Sequence, residues 1–92
     1  MKIHIQYTTQ LRTALGRAEE TVDVSESTTL QQLLGQLAEA NPDHFHRWVL
    51  DDNQQLLPNM LVTVNDQQIS DPANTSLADG DVILLLSTIS GG

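Results

Sequence analysis

The chain has no cysteine among its 92 residues. This absence excludes a disulfide scaffold, a thiolate metal site, a catalytic thiol and a persulfide on a side chain. Long apolar runs are also missing, because the longest, residues 82–86, is far too short to span a bilayer. Residues 1–5 contain no apolar signal segment, so the expected location is the cytoplasm.

Basic residues are scarce, and four Lys and Arg against twelve Asp and Glu give a formal net charge of −8. Nucleic acids and anionic membranes both attract clustered Lys and Arg, so the composition argues against either as a partner. An acidic domain is drawn toward basic protein surfaces, but the same charge also keeps a small protein soluble. The composition does not decide between these two explanations. A chain of this length predicts one domain with one modest core.

The first quarter of the chain predicts two strands joined by a loop. Residues 3–7 alternate apolar and polar side chains, which is typical of a half-buried strand. Residues 8–18 are predicted to form a loop in which Leu11 and Leu15 fold back onto the core. A second strand is predicted over residues 21–24, with its two valines facing inward.

One main helix is predicted after Thr28. This threonine is suited to cap the helix, and Gln31 three residues later completes a capping box. Apolar residues then recur at helical spacing and form one stripe. They are Leu30, Leu33, Leu34, Leu37 and Ala38. Asn41 and Pro42 end the helix, because the residue before proline disfavours helical backbone. Residues 44–50 suit a helical turn that runs into a short strand.

The last third of the chain predicts short strands separated by turns. Strands are expected at residues 61–64 and 68–69, with a hairpin turn at 65–66 between them. A turn at 79–80 precedes the final strand, 82–86, which is continuously apolar and so is expected to be covered on both faces in mid-sheet. With the last strand parallel to the first, this order predicts an α+β, ubiquitin-like β-grasp fold. Its mixed sheet would have one main helix packed across it.

The folded domain is predicted to span residues 1–86, and a flexible tail is predicted over 87–92. The tail ends in Gly91 and Gly92. Glycine has no Cβ, so a diglycine end can enter a narrow channel and approach a reactive centre closely. The group delivered there is the α-carboxylate of Gly92, a poor acyl donor until it is activated. The alternative is a functionless chain end, the usual fate of termini.

Three segments, 64–66, 77–83 and 89–92, resemble the small ubiquitin-like sulfur carriers related to the molybdopterin synthase small subunit and the thiamine sulfur carrier. The most specific feature is a Leu-x-Asp-Gly-Asp turn followed by an apolar strand and a terminal Gly-Gly. The length and the Leu-Arg pair at 11–12 are most similar to carriers for cysteine or siderophore sulfur. Family members often carry proline and small residues before the diglycine, whereas residues 86–90 here read Leu-Ser-Thr-Ile-Ser.

The resemblance implies a non-catalytic protein co-substrate. A ubiquitin-activating-type adenylyltransferase would use ATP to adenylate the Gly92 carboxylate. Sulfide or the persulfide of a sulfurtransferase would convert the adenylate to a thiocarboxylate, which would donate sulfur within a downstream synthase. Thr88, Ile89, Ser90 and Gly91 would thread the partner's active site, with Ile89 as an apolar anchor or packed locally on the sheet. No cofactor is expected on the chain, and the acceptor pathway (molybdopterin, cysteine or thiamine) stays open.

Two other functions fit the same terminus. A ubiquitin-like modifier would form isopeptide bonds between Gly92 and lysines of target proteins. An acidic interaction module would use the domain alone, and deletion of Gly91 and Gly92 would then leave its function unchanged. An enzyme is the weakest alternative, because no acid–base pair, nucleophile constellation or phosphate loop is evident. The resemblance implies a monomer that pairs with its enzymes.

Six further side chains are candidates for binding roles. Asp79 and Asp81 could dock basic partner residues, although a role in the turn is favoured. His44 and His46 would share a face on a strand, but no third ligand is evident, so surface histidines are expected and no metal site. The two aromatic residues within 45–48 could form a partner patch and are expected in the core instead.

Overall fold

The computed structural model describes residues 1–87, and within this range five strands form one mixed sheet. The strands are β1 (Lys2–Tyr7), β2 (Glu19–Asp23), β3 (Met60–Val64), β4 (Gln67–Gln68) and β5 (Val82–Ser87). The helices are α1 (Thr9–Leu15), α2 (Leu30–Ala40) and α3 (Pro42–Trp48), with a 3₁₀ turn at Pro72–Asn74. The strand order is β2-β1-β5-β3-β4, and only β1 and β5 run parallel among these strands. This arrangement confirms the predicted β-grasp fold.

The core lies on one face of the sheet. Ile3, Ile5 and Tyr7 alternate with exposed side chains along β1, as the sequence predicts. On β5, Ile83 and Leu85 are fully buried. They belong to the same hydrophobic core as the apolar stripe of α2, all five of whose residues are buried as predicted. The hydrophobic effect of these side chains therefore holds the helix to the sheet.

The prediction that β5 is covered on both faces is wrong, although its central position is confirmed. Val82, Leu84 and Leu86 alternate with the two buried residues of this strand and are only half-buried. The helices share one core and cover one face of the sheet, so the other face stays open. This face is apolar near β5.

The predicted loop over residues 8–18 is wrong in its centre, where α1 forms. Leu11, Ala14 and Leu15 have helical spacing, and Leu11 is 2% exposed, so its predicted contact with the core is confirmed. Gly16 ends the helix in the left-handed region at φ 73°, and its N–H donates to the Arg12 carbonyl at 3.0 Å. The glycine thus terminates a helix, a common role for this residue, and does not signal a loop.

The capping box of α2 lies one residue later than predicted. Thr29 Oγ1 accepts the N–H of Gln32 at 3.2 Å, and the Gln32 side chain accepts the N–H of Thr29 at 3.0 Å. Thr28 and Gln31 have the same spacing, so the local pattern does not choose between the pairs. Thr28 is instead buried, and its hydroxyl lies 2.9 Å from the Ser25 hydroxyl.

Residues 42–48 form a third helix, α3, where the sequence predicts a helical turn and a short strand. Pro42 occupies the first turn of α3, where its missing N–H costs nothing. Phe45 and Val49 bury completely against the core. Leu50 is also buried, and in place of the predicted strand it forms an isolated bridge to Leu56.

The hairpin turn between β3 and β4 is confirmed. Asn65 and Asp66 both have positive φ, 50° and 71°, as the two central residues of a tight hairpin turn require. The short strand β4 begins one residue earlier than predicted. Within residues 1–87, no helix is long and apolar enough to cross a bilayer.

Candidate functional site

The predicted tail residues lie outside the described part of the chain. These are Thr88, Ile89, Ser90, Gly91 and Gly92. Their attachment point is the end of β5, which is held on both sides. Tyr7 of β1 pairs with Leu85, and Met60 of β3 pairs with Ser87. The Thr8 hydroxyl also donates to the Leu85 carbonyl at 2.9 Å. The sheet therefore fixes the point from which the tail starts.

An open sheet face begins at this attachment point. We define it as five half-buried residues: Leu61 and Thr63 of β3 with Val82, Leu84 and Leu86 of β5. Leu61 lies opposite Leu86, and Thr63 lies opposite Leu84. Four of these five side chains are apolar yet remain partly accessible, which is typical of an interaction surface. Sequence reasoning missed this face, although a chain with one predicted main helix can cover only one side of its sheet.

The predicted docking residues Asp79 and Asp81 lie together in the turn before β5. Asp79 Oδ1 accepts the N–H of Lys2 at 2.7 Å, and Asp81 Oδ2 accepts the N–H of Ala78 at 2.8 Å. Gly80 between them has φ 87°, and its N–H donates to the Lys2 carbonyl at 2.8 Å. These bonds support the favoured role in the turn. Docking of either carboxylate on a basic partner stays a prediction.

The same turn is tied to the β3–β4 hairpin. Asn65 Nδ2 donates to Asp81 Oδ1 at 2.9 Å, and Asn65 Oδ1 accepts the N–H of Val82 at 3.0 Å. The Val-Asn-Asp and Leu-x-Asp-Gly-Asp segments that carry the family resemblance are therefore in direct contact. Their shared function in this structure is to align the start of β5, and hence the direction in which β5 leads to the tail.

Tyr7 forms a second anchor beside the end of β5. Its hydroxyl donates to Glu20 Oε2 at 2.6 Å, and Arg17 lies 3.3 Å from the same oxygen. Burial, together with the bond to the Glu20 carboxylate, raises the pKa of Tyr7 far above its usual value. The phenol therefore stays protonated and serves as a structural donor.

The two histidines of residues 44–46 do not share a face. They lie on the helix α3, where side chains two residues apart point about 200° from each other. The prediction that they would share a face assumed a strand and is therefore wrong. His44 is half-buried and His46 is exposed, with Nδ1 4.0 Å from Asp52 Oδ1. In the described range no group of three His, Asp or Glu residues is arranged to hold a metal ion.

The aromatic residues of α3 have different surroundings. Phe45 is fully buried, as expected, whereas Trp48 is half-buried and packs against the edge of the core. The Arg47 guanidinium lies 5.1 Å from the centre of the Trp48 ring, within cation–π range. Trp48 also borders a groove of about 550 Å³ along α1, which Arg12 lines as well.

The sheet order, the parallel pairing of β1 with a central β5, and the helix across one face define a β-grasp domain of the ubiquitin-like class. A diglycine follows the central strand after a few residues. The chain belongs to the ThiS family, whose model matches residues 5–92.

Solved structures show the same fold in relatives of low identity. SAMP1 from Haloferax volcanii is 24% identical with a TM-score of 0.86, and each chain covers 100% of the other. A chain of the complex of subunits 1 and 2 of the molybdopterin-converting factor from Helicobacter pylori is 24% identical, with a TM-score of 0.68 and full coverage of both. Urm1 from Trypanosoma brucei is 26% identical with a TM-score of 0.73, covering 99% of this chain and 95% of that one. No curated protein matches the sequence.

Proposed function

We propose that this protein is a sulfur carrier whose Gly92 carboxylate is adenylated and then converted to a thiocarboxylate. The observation that carries the proposal is membership of the ThiS family by a match that includes the diglycine, residues 5–92. The chain acts as a co-substrate and not as a catalyst. Its sulfur serves the biosynthesis of a cofactor or metabolite.

The chemistry requires activation because hydroxide is a poor leaving group. The Gly92 carboxylate attacks the α-phosphate of ATP, which forms an acyl-adenylate and releases pyrophosphate. Sulfide, or the terminal sulfur of a persulfide, then attacks the Gly92 carbonyl carbon, and AMP leaves with the electron pair. With a persulfide, a reducing thiol must then cleave the S–S bond to release the thiocarboxylate. No side-chain thiol is needed on this chain, which fits its lack of cysteine.

The partners of this cycle must hold the domain while the tail enters their active sites. The open sheet face is suited to this contact, because it is apolar and reaches the end of β5 where the tail starts. The net charge of −8 favours partners with a basic rim. A relative in a complex of subunits 1 and 2 of the molybdopterin-converting factor supports a synthase as one partner. An adenylyltransferase and a sulfurtransferase would be the others.

The test is intact-mass spectrometry with fragmentation of the C-terminus. The chain is incubated with a cognate ubiquitin-activating-type adenylyltransferase, ATP and sulfide. We expect a gain corresponding to replacement of oxygen by sulfur, located on Gly92 and dependent on ATP. Oxidation of Met1 or Met60 adds nearly the same mass, so fragmentation must locate the gain. A Gly91→Val variant is the matched control, because its added side chain should block entry to the enzyme.

An unmodified Gly92, observed while the same enzyme acts on another carrier, would overturn the proposal. The modifier would then become the leading candidate. It has support of its own, since relatives of known structure include small archaeal modifier protein 1 from Methanosarcina acetivorans. Recovery of the chain joined through Gly92 to lysines of other proteins would favour it. If deletion of Gly91 and Gly92 leaves the cellular function intact, the interaction module is correct.

A further inference from the structure

Primary amines are almost absent from this protein. Lys2 is its single lysine, and its other three basic residues are arginines. A guanidinium stays protonated and does not accept acyl groups as a free amine does. An activated Gly92 that meets another copy of this chain therefore finds only two amines, the side chain of Lys2 and the α-amino group of Met1.

The α-amino group is the less available of these amines. It donates to the Val24 carbonyl at 2.7 Å in a partly buried position, and the Met1 side chain packs against the core. Before it could attack an acyl group, this amine would have to break its hydrogen bond to the Val24 carbonyl. Lys2, by contrast, is exposed at the start of β1, on the side of the sheet that the helices leave open.

Geometry disfavours contact between Lys2 and the terminus of its own chain. β1 and β5 are parallel with Tyr7 level with Leu85, so Lys2 lies seven residue steps behind Ser87, or about 23 Å along the strands. Residues 88–92 span at most about 18 Å when fully extended, so they would cover this distance only if the Lys2 side chain also extended to meet them. They also follow a strand that runs away from Lys2, so they would first have to reverse direction.

We infer that Lys2 is the acceptor through which one copy of this protein is joined to Gly92 of another. The inference rests on the adenylation of Gly92 proposed above. The unprotonated Lys2 amine attacks the carbonyl carbon of the acyl-adenylate, the C–N bond forms, and the C–O bond to AMP breaks with its electron pair on AMP. The ammonium that results loses its proton to solvent. One donor and one acceptor per copy give linear, unbranched chains.

The experiment uses the full chain with the cognate adenylyltransferase and ATP, without a sulfur source. We expect ATP-dependent dimers and longer species on a denaturing gel. Cleavage before aspartate should release residues 81–92 joined to residues 1–22, with the isopeptide bond on Lys2. Lys2→Arg keeps the positive charge but lacks the amine, and it should reduce dimers to the level seen without ATP. Trp48 fluorescence checks that this variant is folded.

A two-component mixture tests transfer between copies. The donor is the Lys2→Arg chain, and the acceptor is the wild-type chain lacking residues 91–92. We expect a single dimer and no longer species. Hydroxylamine added to either reaction captures activated Gly92 as a hydroxamate and reports adenylation independently of Lys2.

Three results would overturn the inference. Dimers that persist in Lys2→Arg, or that map to Met1, contradict Lys2 as the acceptor. Hydroxamate on Gly92 without any dimer of the wild-type chain also contradicts it and leaves the proposed activation standing. If no hydroxamate forms with an enzyme that activates another carrier, the proposed function fails, and this inference fails with it.

Discussion

Single carboxylates connect distant parts of this chain. Asp79 bonds the backbone of Lys2, 77 positions away, and Asp81 bonds Asn65, 16 positions away. Both bonds converge on the turn that starts β5. A hydrogen bond to a charged group contributes about 1.5–3 kcal/mol at best, and less at an exposed turn such as this one. Their main effect is thus to set the position of the strand that leads to Gly92.

The pH dependence of stability should reveal the environment of Tyr7, the only tyrosine. Its folded pKa is raised by burial and by Glu20, so above pH about 10 the unfolded chain loses a proton that the folded chain keeps. The contribution of Tyr7 is therefore complete below that pH and is lost as the pH rises further. We expect the free energy of unfolding to fall by about 1.4 kcal/mol per pH unit from this group.

Urea denaturation between pH 8 and 12 measures this effect, with Tyr7→Phe as the control. The variant lacks the ionisable group, so the difference between the two stability profiles isolates Tyr7. If the free energies of unfolding of the two proteins change in parallel above pH about 10, burial and Glu20 do not hold Tyr7 protonated as described.

At the scale of the element, α2 combines a buried stripe with a capping box. All five apolar residues of the stripe reach the core, so packing holds the helix in place. The capping box contributes less to the free energy of folding than this packing does, but it determines where the helix begins. Because two Thr/Gln pairs one residue apart have equal spacing, this starting point was not decided by local sequence.

Substitution of Thr29 tests the observed cap. Thr29→Ala should lower the free energy of unfolding by about 1 kcal/mol, because Thr29 Oγ1 accepts the N–H of Gln32. Thr29→Ser keeps the hydroxyl and should retain most of this stability. Chemical denaturation of both variants measures the difference. An equal loss in the two would mean that the hydroxyl does not cap α2.

At the scale of the whole molecule, the sheet separates stability from partner contact. One face of the sheet packs against the helices and forms the core. The other is the open sheet face, which lies next to the point where the tail starts. Substitutions on the two faces should therefore have different effects. Changes on the covered face should unfold the protein, whereas changes on the open face should impair activation of Gly92.

Leu84→Ser tests the open face. Loss of its apolar contact should raise the KM of the adenylyltransferase for this protein by about tenfold, equivalent to about 1.4 kcal/mol, with little change in kcat. Gln36→Ser, an exposed position on α2, is the matched control and should leave KM unchanged. Pyrophosphate release measures both constants. If Leu84→Ser leaves KM unchanged while Gln36→Ser raises it, the contact surface lies on the helical side.

The sequence by itself determined the strand alternation of β1, the apolar stripe of α2 and the β3–β4 turn. Each depends on residues close together in the chain, whose periodicity reports which side chains turn inward. The diglycine and the segments that carry the family resemblance can likewise be identified from the sequence alone.

Tertiary structure decided the rest. It placed helix α1 where a loop was predicted, moved the cap from Thr28 to Thr29, and separated His44 from His46 on a helix. It also left one face of β5 open and bonded Asp79 to Lys2 across nearly the whole chain. These outcomes depend on which surfaces meet after folding. Contacts between distant segments do not produce a periodic pattern in the local sequence, so they can be identified only from the folded structure.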